Sequence, residues 1–102
     1  ARVAALNGLA GGMRSAASIA RATQLVKGFA SSDTVSLDGQ SIAMAQGYPA
    51  AAAISTALSD TSGFTISASA ASARFALRTD CYVQYLQSTG AGSSVTIVST
   101  GC

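Results

Sequence analysis

Residues 80–102 read DCYVQYLQSTGAGSSVTIVSTGC, and this stretch decides how the fold is completed. Apolar and polar residues alternate on both sides of the segment STGAGSS, which is rich in glycine and serine. Such alternation around a turn-forming segment is typical of two antiparallel strands joined by a loop. The sequence therefore predicts a terminal hairpin with strands at residues 81–87 and 95–99.

The chain has two cysteines, and they lie at the two ends of this hairpin. If the strands fold symmetrically about the loop, Val83 lies near Val98, and Cys81 comes within two residues of Cys102. A disulfide there would close a loop of 21 positions and stabilise the domain by about 3 kcal/mol. We predict this disulfide, with two free buried thiols as the alternative.

The segments before the hairpin also have the pattern of strands. GFTISAS at residues 63–69 is a short strand candidate, and ARFALRT at residues 73–79 alternates Phe75 and Leu77 with smaller or polar residues. We predict antiparallel strands over residues 64–102.

The N-terminal segment, residues 1–28, has the periodicity of an amphipathic helix. Gly28 is well placed just beyond the helix end, after Lys27, whose charge suits the last turn. The apolar face is expected to contain Val3, Leu6, Leu9, Met13, Ala16, Ala20, Thr23 and Val26.

Three glycines interrupt this predicted helix, at a cost of about 1 kcal/mol each relative to alanine. Three explanations remain open for these glycines: a kink in the helix, tight packing on the domain's own sheet, or close packing against a neighbouring copy. Two arginines share the opposite face, as a solvated surface or as contacts to acidic groups of adjacent copies. The candidate assembly face is Gly8, Gly11, Gly12, Arg14 and Arg21.

Between the helix and the strands, residues 29–47 are predicted to form a connecting loop that contains a hairpin. Its turn is Asp38-Gly39, a pair typical of type I′ turns. Residues 49–60 are predicted as a short helix that begins at Pro49, because proline is favoured in the first helical turn.

Composition argues against several functions. There is no histidine, so catalytic triads and most zinc sites are disfavoured. The four carboxylates all occupy turn or cap positions, and the net charge of +2 is too small to favour nucleic acid. We expect no enzyme, no catalytic residue, no cofactor, no metal site and no nucleic-acid partner.

Three segments in order resemble type IV pilins, specifically type IVa pilins of the mannose-sensitive haemagglutinin kind. ARVAALNGLAGGMRSAASIARA is similar to the second half of their long N-terminal helix, and DGQSIAMAQGYPAAAAI to their middle region. DCYVQYLQSTGAGSSVTIVSTGC is similar to their C-terminal segment bounded by a disulfide. The resemblance extends over nearly the whole of residues 1–102.

This resemblance implies an α+β pilin fold, with the helix packed on a small antiparallel sheet in a single domain. It implies a chain truncated at its N-terminus, whose missing apolar half-helix is methylated and anchors the subunit in the inner membrane of a Gram-negative bacterium before assembly. The expected partners are further copies of the chain, other pilins and the assembly machinery.

The resemblance further implies an extracellular filament that serves adhesion, with twitching motility and biofilm formation as additional roles. The alternatives are a minor pilin or a type II secretion pseudopilin, and more distantly a standalone module that binds sugar or DNA. Pseudopilins often bind calcium through C-terminal carboxylates, whereas residues 80–102 contain only Asp80.

Overall fold

The computed structural model of the chain describes residues 2–37, 39–58, 61, 63–90 and 92–102. The fold is mixed α+β, with an N-terminal helix, small antiparallel sheets and a C-terminal disulfide. Its elements are α1 (Arg2–Val26), β1 (Val35–Leu37), β2 (Gln40–Ile42), β3 (Met44–Ala45), β4 (Tyr48–Pro49), a 3₁₀ turn (Ala51–Ala53), α2 (Ile54–Ala57), β5 (Thr65–Ala68), β6 (Ser72–Arg78), β7 (Cys81–Leu86) and β8 (Ser94–Val98).

Helix α1 is continuous through its three glycines and packs one face on the rest of the chain. The predicted apolar face is confirmed in the middle of the helix and wrong at its ends, where Val3 and Val26 are exposed. The buried residues of α1 are Leu6, Leu9, Ala10, Met13, Ala16, Ala17, Ala20 and Gln24.

The predicted end of α1 is confirmed, and its backbone forms a Schellman motif. Gly28 adopts a φ of 68°, a left-handed conformation that glycine tolerates. The amide of Gly28 donates to Leu25 O and that of Phe29 to Gln24 O, at 3.1 and 3.0 Å. The chain therefore turns sharply at Gly28, and Phe29 is brought back beside the last helical turn.

Strands β5 to β8 form one antiparallel sheet in sequence order. Its inner face packs under α1 and carries Phe75, Val83 and Tyr85, all fully buried. Alternation along β6 and β7 is therefore confirmed as a guide to which side chains face the core. Apolar burial of this kind contributes about 25 cal/mol per Å² to the stability of the fold.

The predicted register of the terminal hairpin is wrong by one residue. Val83 pairs with Ile97 rather than with Val98, and Leu86 pairs with Ser94. The loop is therefore centred on Gly90 and spans residues 87–93. This register places the apolar Ile97 on the same face as Val83, toward the core, because partners directly opposite each other share a face of a sheet.

Between α1 and the main sheet the chain folds into two small hairpins. The predicted one is present, since β1 pairs with β2 and Leu37 lies opposite Gln40. Gly39 in its turn has a φ of 78°, whereas Asp38 lies outside the described residues.

The prediction that Pro49 begins a helix is wrong, because Pro49 lies in β4 and pairs with Met44 of β3. The two strands are joined by Gln46-Gly47, both with positive φ (52° and 88°), which is the backbone of a tight hairpin turn. The helical segment starts only at Ala51. Residues 59 and 60, the predicted end of the helix, lie outside the described residues.

In the described part of the chain, no helix is both long enough and apolar enough to span a membrane.

Candidate functional site

The face of α1 that points away from the sheet is exposed along the whole helix. Toward the C-terminal end it carries large apolar side chains, with Ile19, Leu25 and Val26 exposed by 56%, 62% and 87%. Exposed large apolar residues clustered on one face are characteristic of surfaces that contact another molecule. Toward the N-terminal end small residues predominate among the exposed ones, which also include Val3, Asn7 and Arg14.

The glycines predicted to form an assembly face lie on this exposed side of α1. A Cβ added to Gly8 or Gly11 would meet no atom within 4 Å, and one added to Gly12 would reach Leu58 at an ordinary 3.6 Å. Tight packing within the domain therefore does not account for Gly8 or Gly11, and the continuous helix shows no break at them. Their cost of about 1 kcal/mol each relative to alanine has no local compensation.

The two arginines predicted on the same face have different surroundings. Arg14 is exposed beside the glycines. Arg21 is partly buried, and its guanidinium turns toward the β3–β4 hairpin, where Nη1 donates to Gly47 O at 3.4 Å and the group lies 4.7 Å from the centre of the Tyr48 ring. Arg21 is therefore separated from the exposed glycine surface.

The predicted disulfide is present between Cys81 and Cys102, whose Cα atoms are 4.9 Å apart. Cys81 is fully buried at the start of β7, and Cys102 packs against the same core. The final residue also approaches the start of α1, since Arg2 Nη1 donates to Cys102 O at 3.2 Å. The terminal hairpin thus runs alongside α1, with its disulfide end near the first helical turn.

A cleft of about 450 Å³ opens at the other end of α1, between the helix, the loop after it and the β7–β8 loop. Its lining contains one charged side chain, two aromatic rings and several glycines. The residues that line it are Arg21, Gln24, Leu25, Phe29, Ser31, Gln46, Gly47, Tyr48, Gly90 and Gly92.

A buried amide fixes the wall of this cleft. Gln24 is only 2% exposed, and its Nε2 donates to Ser31 O at 3.2 Å and to Asp33 O at 3.0 Å. With both N–H groups engaged, Oε1 points toward Gly47, where it would lie 3.9 Å from an added Cβ. A buried glutamine on the core side of a helix is unusual, and these two carbonyl partners explain it.

Ser88 fixes the conformation of the β7–β8 loop at the edge of the cleft. This serine is buried, and its Oγ accepts hydrogen bonds from the amides of Gly90 and Gly92, each at 3.1 Å. Gly92 in turn lies beside Tyr48, because a Cβ there would come within 3.6 Å of the Tyr48 hydroxyl. The loop therefore packs against the β3–β4 hairpin at the cleft's edge.

The two tyrosines of β7 lie on opposite faces of the sheet. Tyr85 is buried and donates to Pro49 O at 2.6 Å. Tyr82 is partly exposed on the outer face, where Arg74 lies 4.0 Å from the centre of its ring. Cation–π pairs at exposed sites are worth about 0.5–1 kcal/mol.

The described aspartates have local structural roles. Asp33 Oδ2 accepts from the Ala30 amide at 2.8 Å, and Asp80 adopts a left-handed φ of 56° in the β6–β7 turn. Asp38 and Asp60 lie outside the described residues. Within residues 2–37, 39–58, 61, 63–90 and 92–102, no three histidine, cysteine, aspartate or glutamate side chains come close enough to hold a metal ion.

Comparison with known proteins finds no similar chain: no family model matches, and neither does any curated protein or solved structure.

Sequence reasoning did not find the cleft. Its residues are separated in the chain, and the sequence does not distinguish Tyr48 from a ring that covers the domain's own core. The signals were present as Gln24 on a predicted helix and Gln46-Gly47 before a tyrosine, but only the fold brings them together.

Proposed function

We propose that this chain is a structural subunit of a type IV pilus, which polymerises with other copies into an extracellular filament for adhesion, motility and biofilm formation. The resemblance of residues 1–102 to type IVa pilins supports the proposal, as does the α+β architecture with its long N-terminal helix and terminal disulfide. On this proposal the chain's role is assembly, and it carries no catalytic activity.

The observation that carries the proposal is the unpartnered face of α1. Gly8 and Gly11 remain in a helix that would be more stable with alanine, although nothing in the described part of the domain needs the space. Small residues let two helix backbones approach closely, so a neighbouring helix in a filament would account for them. Ile19, Leu25 and Val26 would add apolar burial at the other end of the contact.

Before assembly the subunit would be held in the inner membrane of a Gram-negative cell by an apolar helical segment upstream of α1. The N-terminus of that segment would be methylated after processing. Partners at that stage are other pilins and the assembly machinery. A minor pilin with the same helix contact would also use this face.

The experiment is to enlarge the helix face without disturbing the domain. Gly8→Leu and Gly11→Leu are introduced into the complete gene in its own bacterium, and surface filaments are counted by electron microscopy and identified with an antibody to residues 1–102. Because neither position contacts the domain, we expect the isolated variants to melt no lower than the parent. We expect filaments to be lost or reduced severalfold.

The matched control is Thr96→Leu, which places the same side chain on the exposed outer face of the sheet. This variant should assemble normally. The proposal fails if cells carrying the unaltered gene lack filaments containing this chain, or if both glycine variants assemble as well as Thr96→Leu.

A further inference from the structure

The cleft at the C-terminal end of α1 shares Leu25 with the proposed assembly contact, whereas Arg21, Phe29 and Tyr48 of its lining have no part in that contact. Its volume of about 450 Å³ lies in the range of small-molecule sites. It is formed within one chain, so its binding can be measured on the unassembled domain.

The charge of the cleft is positive. Arg21 is the charged residue of its lining, and in the described part of the chain no carboxylate lies within 4.0 Å of the guanidinium. Asp33 is two positions from Ser31 of the lining, and its carboxylate accepts a hydrogen bond from the Ala30 amide. Arg21 donates one long hydrogen bond, to Gly47 O, which leaves the other N–H groups of its planar fork to pair with an anionic oxygen.

The remaining lining suits a ring that carries hydroxyl groups. Tyr48 and Phe29 present aromatic surface, and Phe29 is 42% exposed although it is a large apolar residue. Gln24 Oε1, Gln46 and Ser31 supply uncharged polar groups around them. Aromatic surface beside convergent polar groups is how a protein holds a small polar ring in one orientation.

The turn between β3 and β4 leaves room for Arg21 in the cleft. Gly47 has a φ of 88°, and a side chain there would collide with Arg21 Nη1. Any other residue at position 47 would therefore displace the guanidinium from the Tyr48 ring. The turn thus holds Arg21 in place as well as reversing the chain.

We propose that this cleft binds an acidic sugar, a pyranose bearing a carboxylate, with the carboxylate on Arg21 and the ring against Tyr48 and Phe29. The carboxylate would complete the guanidinium's hydrogen bonds, and the sugar hydroxyls would donate to Gln24 Oε1. A uronic acid and a sialic acid share this chemistry.

The test is a titration of ¹⁵N-labelled residues 1–102 followed by amide chemical shifts. The probes are methyl glucuronide and methyl glucoside, which differ only in having a carboxylate in place of a hydroxymethyl group, together with methyl sialoside and sodium acetate. We expect either acid to shift the amides of Gly47 and Gly92 saturably, and to bind about tenfold or more tightly than the glucoside, because a charge-assisted bond is lost with the carboxylate. The acid that binds more tightly shows whether the cleft prefers a uronic acid or a sialic acid.

Two variants locate the interaction. Arg21→Gln should abolish the preference for acid over neutral sugar, while Arg14→Gln, on the same helix and outside the cleft, should keep it. Preserved amide spectra show that both variants are folded. If Arg21→Gln changes the fold, Arg21→Lys and Phe29→Leu replace it, and each should weaken binding of the glucuronide.

Three results would overturn the proposal. The first is an equal affinity for glucoside and glucuronide. The second is acetate reproducing the same shifts at the same concentration, and the third is the absence of saturable shifts at Gly47 and Gly92 with either acid.

Discussion

Tyr85 and Pro49 are joined by a hydrogen bond of 2.6 Å from the tyrosine hydroxyl to the proline carbonyl. The bond links the central strand β7 to the small hairpin that precedes α2, across 36 positions of sequence. Because Tyr85 is fully buried, water cannot replace either partner. This bond therefore helps to attach the β3–β4 hairpin, and with it the turn beneath the cleft, to the main sheet.

We expect Tyr85→Phe to lower the free energy of unfolding by about 1–3 kcal/mol, because it leaves the buried carbonyl of Pro49 without its donor. Urea denaturation followed by circular dichroism measures the change. Tyr82→Phe, on the exposed face of the same strand, is the control and should change stability by less than about 0.5 kcal/mol. Equal effects of the two substitutions would contradict the role given to the Pro49 bond.

The stability of the fold should also fall at high pH because the buried Tyr85 hydroxyl loses its proton. Burial raises the pKa of Tyr85 above its ordinary value of 10.0. Because the pKa is raised in the folded state, the Tyr85 hydroxyl loses its proton at a lower pH in the unfolded chain than in the folded one. The contribution of the protonated Tyr85 to stability is therefore complete below pH 10, and it is lost as the pH rises through the folded pKa. Melting temperatures measured from pH 8 upward should fall less steeply above pH 10 in Tyr85→Phe than in the parent. Identical slopes in the two proteins would show that Tyr85 does not cause the loss of stability at high pH.

The disulfide should account for much of the domain's stability. Replacing both Cys81 and Cys102 by alanine should cost about 2–5 kcal/mol, chiefly because the unfolded chain is no longer constrained. Thermal melts of the parent with and without a thiol reductant, beside the double variant, measure the effect. The reduced parent should approach the double variant, and a reductant that leaves the parent's melting temperature unchanged would show that the bond contributes nothing.

Two glycines should respond to alanine in opposite directions. Gly47→Ala should destabilise the domain by about 1–2 kcal/mol, because a Cβ is strained at a positive φ and this one meets Arg21. Gly8→Ala should stabilise it by about 1 kcal/mol, since the helix gains a better helix former and no atom lies within 4 Å. Chemical denaturation of the two variants side by side tests both signs, and a loss of stability in Gly8→Ala would reveal a contact that the fold does not show.

Local rules predicted the parts of the fold that depend on neighbours in sequence. The spacing of Leu6, Leu9 and Met13 placed the buried face of α1, and Gly28 marked its end, because both follow from helix geometry alone. Pro49 was misplaced because the same residue suits a helix start and the edge of a hairpin. Pro49 lies in a strand because the turn at Gln46-Gly47 lets β3 pair with β4.

The candidate sites also differ in whether local sequence could predict them. Cys81 and Cys102 could be paired from sequence because a single hairpin brings them together. The contact between Arg21 and Tyr48 could not, because the two residues are 27 positions apart and the intervening hairpins must fold before the guanidinium reaches the ring. Helical periodicity placed Arg21 with Arg14, yet the side chain is long enough to bend toward the hairpin instead.

The bond between the last residue and the start of β7 has a mechanical consequence. Tension applied to Cys102 passes through the sulfur atoms to Cys81, so strand β8 and the loop before it lie outside the load path. When such a chain is pulled from both sides of the disulfide, the segment from Cys81 to Cys102, a sequence separation of 21, stays closed as a ring. At about 3.4 Å per residue, roughly 70 Å of contour length is withheld from the extended chain.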